Sequence, residues 1–379
     1  MSLHFATREI GSLAKPSWRV KAFAGRPIEE RDITEAKRWG ARLALAGHEE
    51  FVQKLETGTA GLGEIDDWAV RYALALLERA GLDVVYDGEQ RRTEMYDHVA
   101  DFAGGFEPRG TVRSFDNKYY VKAAVVEGPS VPGPQDVEEY EFVRAQTDRR
   151  VKVPLTGAYT MVDWSYDEHY SGEGALGASA ERRQDARRRF VSDVATSVIS
   201  PNVNGLVESG ADWIQIDEPA AATKPEEVGL VVEGFNLATR GAKATKSMHI
   251  CFSDYSALWP AVLELEDCLE LQLEFANRDS RELGRRDEDR PGYAPTLALF
   301  RDYGYPNVGL GVLDIHSDFV EPAELVRDRI LYAVDVLGDP ERIQVNPDCG
   351  LRTRSWDVVY DKLANMVAGT RLAEEDLGG

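Results

Sequence analysis

The run MHICFS, residues 248 to 253, sets a histidine and a cysteine two positions apart in a chain with only six histidines and three cysteines. In an extended strand successive side chains alternate between faces, so His249 and Cys251 point the same way. An imidazole and a thiol on one face suit a zinc-like, soft-tolerant ion. Taken alone, the pair reads more simply as two buried residues of a core strand, because free cysteine is among the most buried residue types. The question is whether further ligand types converge on the same place. That depends on the elements that carry them.

Short apolar, β-branched runs recur along the chain: REIGS (8–12), DVVYDGE (83–89), VKVPLTG (151–157), DWIQIDE (212–218), MHICFS (248–253), LELQLEF (269–275), NVGLGVLDI (307–315) and RIQVNP (342–347). Between them lie helical patterns such as DDWAVRYALALLERAG (66–81) and EPAELVRDRILYAVDVLG (321–338). The second opens with acids and a proline and stops at Gly338, as helix ends prefer. Strands alternating with helices predict an α/β fold with a parallel sheet, and eight such strands predict a single (β/α)8 barrel, a TIM barrel, over residues 1–379. Residues 104–126 predict a hairpin inserted after the second strand. Residues 281–292, RELGRRDEDRPG, predict a charged loop after the sixth. A doubly wound open sheet is the competing architecture, but no GxGxxG or GxxxxGK[ST] follows any strand to recommend a nucleotide fold.

In such a barrel the chemistry sits at the C-terminal strand ends. Those ends carry Ser12, Glu89, Trp164, Asp217 with Glu218, His249 with Cys251, Glu274, His316, and Asp348 with Cys349. His249, Cys251, Glu274 and Cys349 come from strands five, six and eight, which a closed barrel brings together. A set of two thiols, an imidazole and a carboxylate suits tetrahedral Zn²⁺. Cys268, before the sixth strand, is expected to be structural.

The net charge of −22 disfavours nucleic acid and anionic membrane surfaces as partners. Three widely spaced cysteines make no disulfide framework. With no apolar leader at the start and no apolar run of about 18 residues, a soluble cytoplasmic protein is expected.

IQIDEPA (214–220), HIC (249–251), LDIHS (313–317) and VNPDCGLRTRSW (345–356) together resemble the cobalamin-independent methionine synthase family. So do EIGS near the start, GLDVVYDGE (81–89) and LTGAYTMVDWS (155–165). The resemblance runs in order from residue 8 to about 370 and covers that family's catalytic C-terminal half, so a short, single-barrel member is expected. It implies a zinc enzyme that moves a methyl group to the thiol of homocysteine, giving methionine. The family's zinc ligands fall on His249, Cys251, Glu274 and Cys349. Its homocysteine contacts fall on the backbone around Ile10 and Ser12 and on Glu89 and Asp217. Its proton-relay histidine falls on His316, and its pterin-stacking tryptophan on Trp164.

The chemistry of these residue types agrees with the roles. A thiol of pKa about 8.5 is mostly protonated at neutral pH, and zinc shifts it to the thiolate. Two carboxylates suit the ammonium of an amino acid, and backbone N–H groups suit its carboxylate. A leaving nitrogen needs a proton that a nearby histidine supplies. Two stretches depart from the family: AATKPEE (221–227) puts Thr223 where an acidic residue helps hold the pterin, and FANRDS (275–280) replaces SRS. The methyl donor expected is therefore methyltetrahydrofolate or a methyl-corrinoid protein. The alternative is alkyl transfer to another thiol, as in epoxide:coenzyme M transferases, whose sulfonate the two carboxylates would repel.

Overall fold

A computed structural model describes residues 3–113, 119–171 and 179–378. Its strands, in chain order, are β1 Val84–Val85, β2 Gly104–Arg113, β3 Tyr119–Ser130, β4 Arg150–Val151, β5 Val153–Thr156, β6 Tyr166–Asp167, β7 Trp213–Asp217, β8 Thr245–Ile250, β9 Cys268–Leu273, β10 Asn307–Gly311 and β11 Ile343–Asn346. Six of them form one continuous parallel sheet in the order β5-β7-β8-β9-β10-β11. Helices Val228–Thr239 and Ala323–Leu337 lie between them, while Leu62–Ala80 precedes β1 and Trp356–Asp376 follows β11. The α/β alternation expected from the sequence is present.

The pairing continues past this sheet at both ends. β1 pairs in parallel with β4, which only Lys152 separates from β5, and the Lys152 N–H donates to the Val85 carbonyl at 3.1 Å. At the other end Thr7 bridges to Val345 of β11 and Arg8 to Val84 of β1, both in parallel. Of the expected first strand, residues 8–12, only Arg8 makes a bridge, beside that of Thr7 just before it. Its backbone leaves the sheet after Arg8 because the Ile10 carbonyl is taken by side chains, from Lys152 and Gln215. The second strand is cut to two residues as the chain turns through left-handed Gly88 and Glu89, at φ 65° and 54°. The fifth ends at Ile250, where Phe252 at φ 54° turns the chain away.

β2 and β3 pair antiparallel, and β6 adds in parallel to β3. The residues joining β2 to β3 lie outside those described. Bulges and Pro108 interrupt β2, which is the outer strand of this small sheet.

Period-two alternation explains how the main sheet is buried throughout. One face presents Ile214, Ile216, Met248, Ile250, Leu271, Leu273, Val308 and Leu310, all at most 1% exposed. Helices cover it with matching stripes; in Trp356–Asp376 the buried positions Trp356, Val359, Leu363, Met366, Thr370 and Ala373 recur every three or four residues. The opposite face is polar yet also buried: Gln215 registers against Ser247, Ser247 against Glu270, and Asp217 against His249. Buried polar groups persist only when paired. Here Arg8 is ion-paired to Glu270, and Gln272 donates to Glu270 at 2.9 Å. This polar face leads up to the strand ends.

Candidate active site

Each prospective metal ligand leaves the sheet at a strand's C-terminal end. His249 is the next-to-last residue of β8 and Cys251 follows that strand; Glu274 follows β9, and Cys349 lies three residues beyond β11. The ligand atoms of His249, Cys251 and Cys349 all lie within 4.8 Å of one another. The Nδ1 of His249 donates to the Gln272 carbonyl at 3.0 Å, which leaves Nε2 facing the Cys349 Sγ at 3.4 Å. A ring nitrogen fixed by a backbone carbonyl, with the other aimed at thiols, is how metal-binding histidines are oriented.

Glu274 stands just outside that cluster. Its Oε2 accepts from Asn277 Nδ2 at 3.0 Å and from the Phe252 N–H at 3.3 Å, while Oε1 is buried without a hydrogen bond. The nearest cationic group to Oε1 is His316 Nε2, at 3.9 Å. Two thiols, one pre-aimed imidazole nitrogen and a buried carboxylate oxygen that accepts no hydrogen bond fit a bound metal ion. Asn277 belongs to the FANRDS stretch that departs from the family, and here it holds the carboxylate.

Asp348 ties these loops together. It accepts from the N–H groups of Phe275, Ala276 and Asn277 at 2.9, 2.9 and 2.7 Å, so the residue before Cys349 clamps the loop after Glu274. The electrostatics follow from crowding. A hydrogen bond from Cys251, opposed by burial, brings the Cys349 thiol down to about 5, while the same bond and burial push Cys251 up. Burial would lower His249, but the Cys349 thiolate outweighs it and raises the imidazole. Burial raises Asp217 to about 7, despite the His249 charge that opposes it.

The cleft above this cluster is lined by Ile10, Ser12, Glu89, Trp164, Asp217, His249, Cys251, His316 and Cys349. Nine of the ten residues to which the family resemblance gives a role therefore line one cavity; the tenth, Glu274, is buried. The arginines that follow Glu89 in the chain turn elsewhere: Arg91 pairs with Asp67, and Arg92 with Asp136 and Glu139. Gly11 lets Glu89 approach, since a Cβ there would sit 2.5 Å from its Oε1. The Ile10 carbonyl already accepts from Lys152 Nζ at 2.7 Å and Gln215 Nε2 at 2.8 Å. Of the backbone N–H groups in that stretch, that of Leu13 donates to the Gly88 carbonyl at 3.0 Å.

Trp164 does not end a strand. It caps the short helix Ala158–Asp163 after β5 and stacks on Tyr120 of β3, with centroids 5.2 Å apart. The half-exposed His316 meets the Phe252 ring edge-on at 5.0 Å, and the Glu274 carboxylate raises its pKa above the usual histidine range. Thr223 bonds Asp163 at 3.3 Å. Cys268 opens β9, at the far end from the cleft, and its thiol donates to the Glu270 carbonyl.

Sequence reasoning missed Glu94, Met95, Phe252, Arg352 and Thr353 in the same lining. Phe252 lies within MHICFS, and Arg352 and Thr353 within VNPDCGLRTRSW, so these three were within reach. Glu94 and Met95 were not, because they open a short helix after the left-handed turn at Glu89.

This is the arrangement of an α/β enzyme whose cleft lies beyond the C-terminal strand ends and contains side chains able to hold a metal ion. The chain matches the model of the cobalamin-independent synthase catalytic domain over residues 48–372, and it belongs to that family. A methionine synthase of Thermoplasma acidophilum is 36% identical over 370 residues, covering 95% of this chain and 96% of the relative. One from Pyrococcus horikoshii is 31% identical, covering 98% and 93%. Among solved structures, a B12-independent methionine synthase from Shewanella sp. W3-18-1, determined with selenomethionine, superposes with a TM-score of 0.71 at 24% identity over 99% of both chains. Among the described residues no helix is long and apolar enough to cross a membrane.

Proposed function

We propose that this chain is a zinc-dependent methyltransferase that methylates the thiol of homocysteine to give methionine, with methyltetrahydrofolate or a methyl-corrinoid protein as donor. The carrying observation is the His249, Cys251 and Cys349 cluster opening into a cleft that also holds Glu89 and Asp217. Relatives more than 30% identical over nearly the whole chain bear the name methionine synthase. We read the order of parallel pairings, with its bridges at Thr7 and Arg8, as support for one (β/α)8 barrel over residues 1–379 carrying β2 and β3 as an inserted hairpin. A cytoplasmic setting, with no nucleic-acid or membrane partner, suits three free cysteines and a charge of −22.

His249, Cys251, Glu274 and Cys349 would hold the zinc, which when bound makes a thiol acidic enough to be nucleophilic at neutral pH. Glu89 and Asp217 bind the acceptor's ammonium, and N–H groups beside Ser12 bind its carboxylate. The acceptor sulfur forms its bond to the methyl carbon as the methyl–nitrogen bond of a folate donor breaks. His316 delivers a proton to that nitrogen, and Trp164 supplies a flat apolar surface for the donor. A sulfonate thiol would face two carboxylates, which disfavours coenzyme M as acceptor.

The test is a methyl-transfer assay of homocysteine against coenzyme M, each with methyltetrahydrofolate and with methylcobalamin. Homocysteine turnover with either donor is expected. Faster turnover with coenzyme M overturns the acceptor assignment.

A further inference from the structure

Below the cleft lies a charged side chain to which no role has been assigned. Lys152 is fully buried between β4 and β5. A buried ammonium is costly unless paired and hydrogen-bonded. Lys152 spends its donors upward, toward the site: Nζ donates to the Ile10 carbonyl at 2.7 Å and to the Gln215 side-chain carbonyl. Its nearest carboxylate, Glu9, lies beyond hydrogen-bond range at 3.7 Å, and both Glu9 oxygens are buried without a hydrogen bond.

Gln215 completes the arrangement. Its Nε2 donates to the same Ile10 carbonyl at 2.8 Å and to Asp217 Oδ1 at 2.6 Å. Lys152 fixes the Gln215 amide by its oxygen, so both N–H bonds are directed and the amide cannot flip without setting N–H against ammonium. The Ile10 carbonyl has both lone pairs occupied. Asp217 has one oxygen tied down and the other left for a ligand.

We propose that Lys152 and Gln215 are positioning residues that set where the acceptor's ammonium is read. They fix the Ile10 carbonyl and hold the Asp217 carboxylate in one orientation across from Glu89. This rests on the reading of the acceptor as an amino-acid thiol, and it adds a source for the preference: an ammonium is distinguished from no ammonium because Asp217 is held in place before binding.

The test compares kcat/KM for homocysteine with that for 4-mercaptobutyrate, the same chain without its amino group. Measurements are made on the unaltered protein, on Lys152→Met and on Gln215→Met, with thermal unfolding followed for each. The unaltered protein should prefer homocysteine strongly. Each variant should lose at least about tenfold of that preference through a higher homocysteine KM. KM for the methyl donor and the bound metal should stay as they were. Equal losses for both thiols would show a merely structural role and overturn the proposal, as would an unchanged preference. Should Lys152→Met not fold, Gln215→Met, which removes no charge, decides alone. An unaltered protein that methylates neither thiol would instead sink the proposed function.

Discussion

Cys251 and Cys349 are close enough to share a hydrogen bond, and that proximity splits their behaviour: the Cys349 thiol ionises readily and the Cys251 thiol resists. Replacing Cys349 by serine removes the more acidic thiol and exchanges a soft ligand for a hard, weakly acidic one. Metal analysis of Cys349→Ser should show a large loss of zinc, with some residual metal on the remaining ligands; full retention would contradict the ligand assignment. His316 is a different kind of residue, half-exposed and 3.9 Å from a buried carboxylate oxygen. His316→Asn should keep zinc and thiol affinity. With a folate donor its turnover should fall by about 10² to 10⁴, the usual cost of removing a general acid. A corrinoid donor leaves without needing that proton, so methylcobalamin turnover should fall much less. Equal losses with both donors would mean that the imidazole orients the site and does not donate.

At the scale of elements, the site is assembled from loops that must approach one another closely. The turn after β11 brings Gly350 against the stretch at Ser12, where a Cβ would sit 2.6 Å from Ser12 Oγ and 3.1 Å from its carbonyl oxygen. Part of that contact is backbone, so a methyl group forces one loop to shift. Gly350→Ala should therefore raise the homocysteine KM by about threefold or more, since even a small displacement weakens oriented hydrogen bonds. Melting temperature should change little, because the helices and main sheet are untouched. An unaltered KM would show that the Ser12 loop is not part of the acceptor site. The strained backbone at Glu89 and Phe252, both at φ 54°, belongs to the same logic. Non-glycine residues hold such conformations where surrounding structure fixes them, and both lie in the cleft lining.

Over the whole molecule, buried carboxyl groups set the response to pH. Burial raises Asp87, Asp217 and Glu218 each to about 7. Unfolded carboxyl groups titrate near 4. Between those values the folded state therefore binds protons that the unfolded state does not, and stability rises as pH falls through that window. Lowering the charge of −22 relieves repulsion in the same direction. Asp136 acts oppositely: burial would raise it, but Arg92 and His98 hold it at about 2. Its stabilising contribution is complete above about 4 and is lost as pH falls toward 2. The unfolding temperature, measured with chelator present throughout so that metal loss does not intervene, should be higher at pH 6 than at pH 8 and should drop below pH 4. A maximum at pH 8 would mean that these carboxyl groups are ionised in the folded protein.

The sequence by itself determined what depends on neighbours in the chain. Periodicity marked the helix ending at Gly338, which does take the left-handed conformation at the cap. It also marked the central strands, and residue chemistry in HIC, IDEP and VNPDC marked the ligand types. What it did not determine were contacts made across long separations. The first strand was overestimated because the Ile10 carbonyl is claimed by side chains 142 and 205 residues away. Asp348 clamps N–H groups more than 70 residues distant, and Trp164 gains its stacking partner from β3. Local propensity reports which conformations a segment favours. Which side chain satisfies a given buried carbonyl is fixed only when the sheet brings the two together, because an unpaired polar group there costs more than any local preference returns.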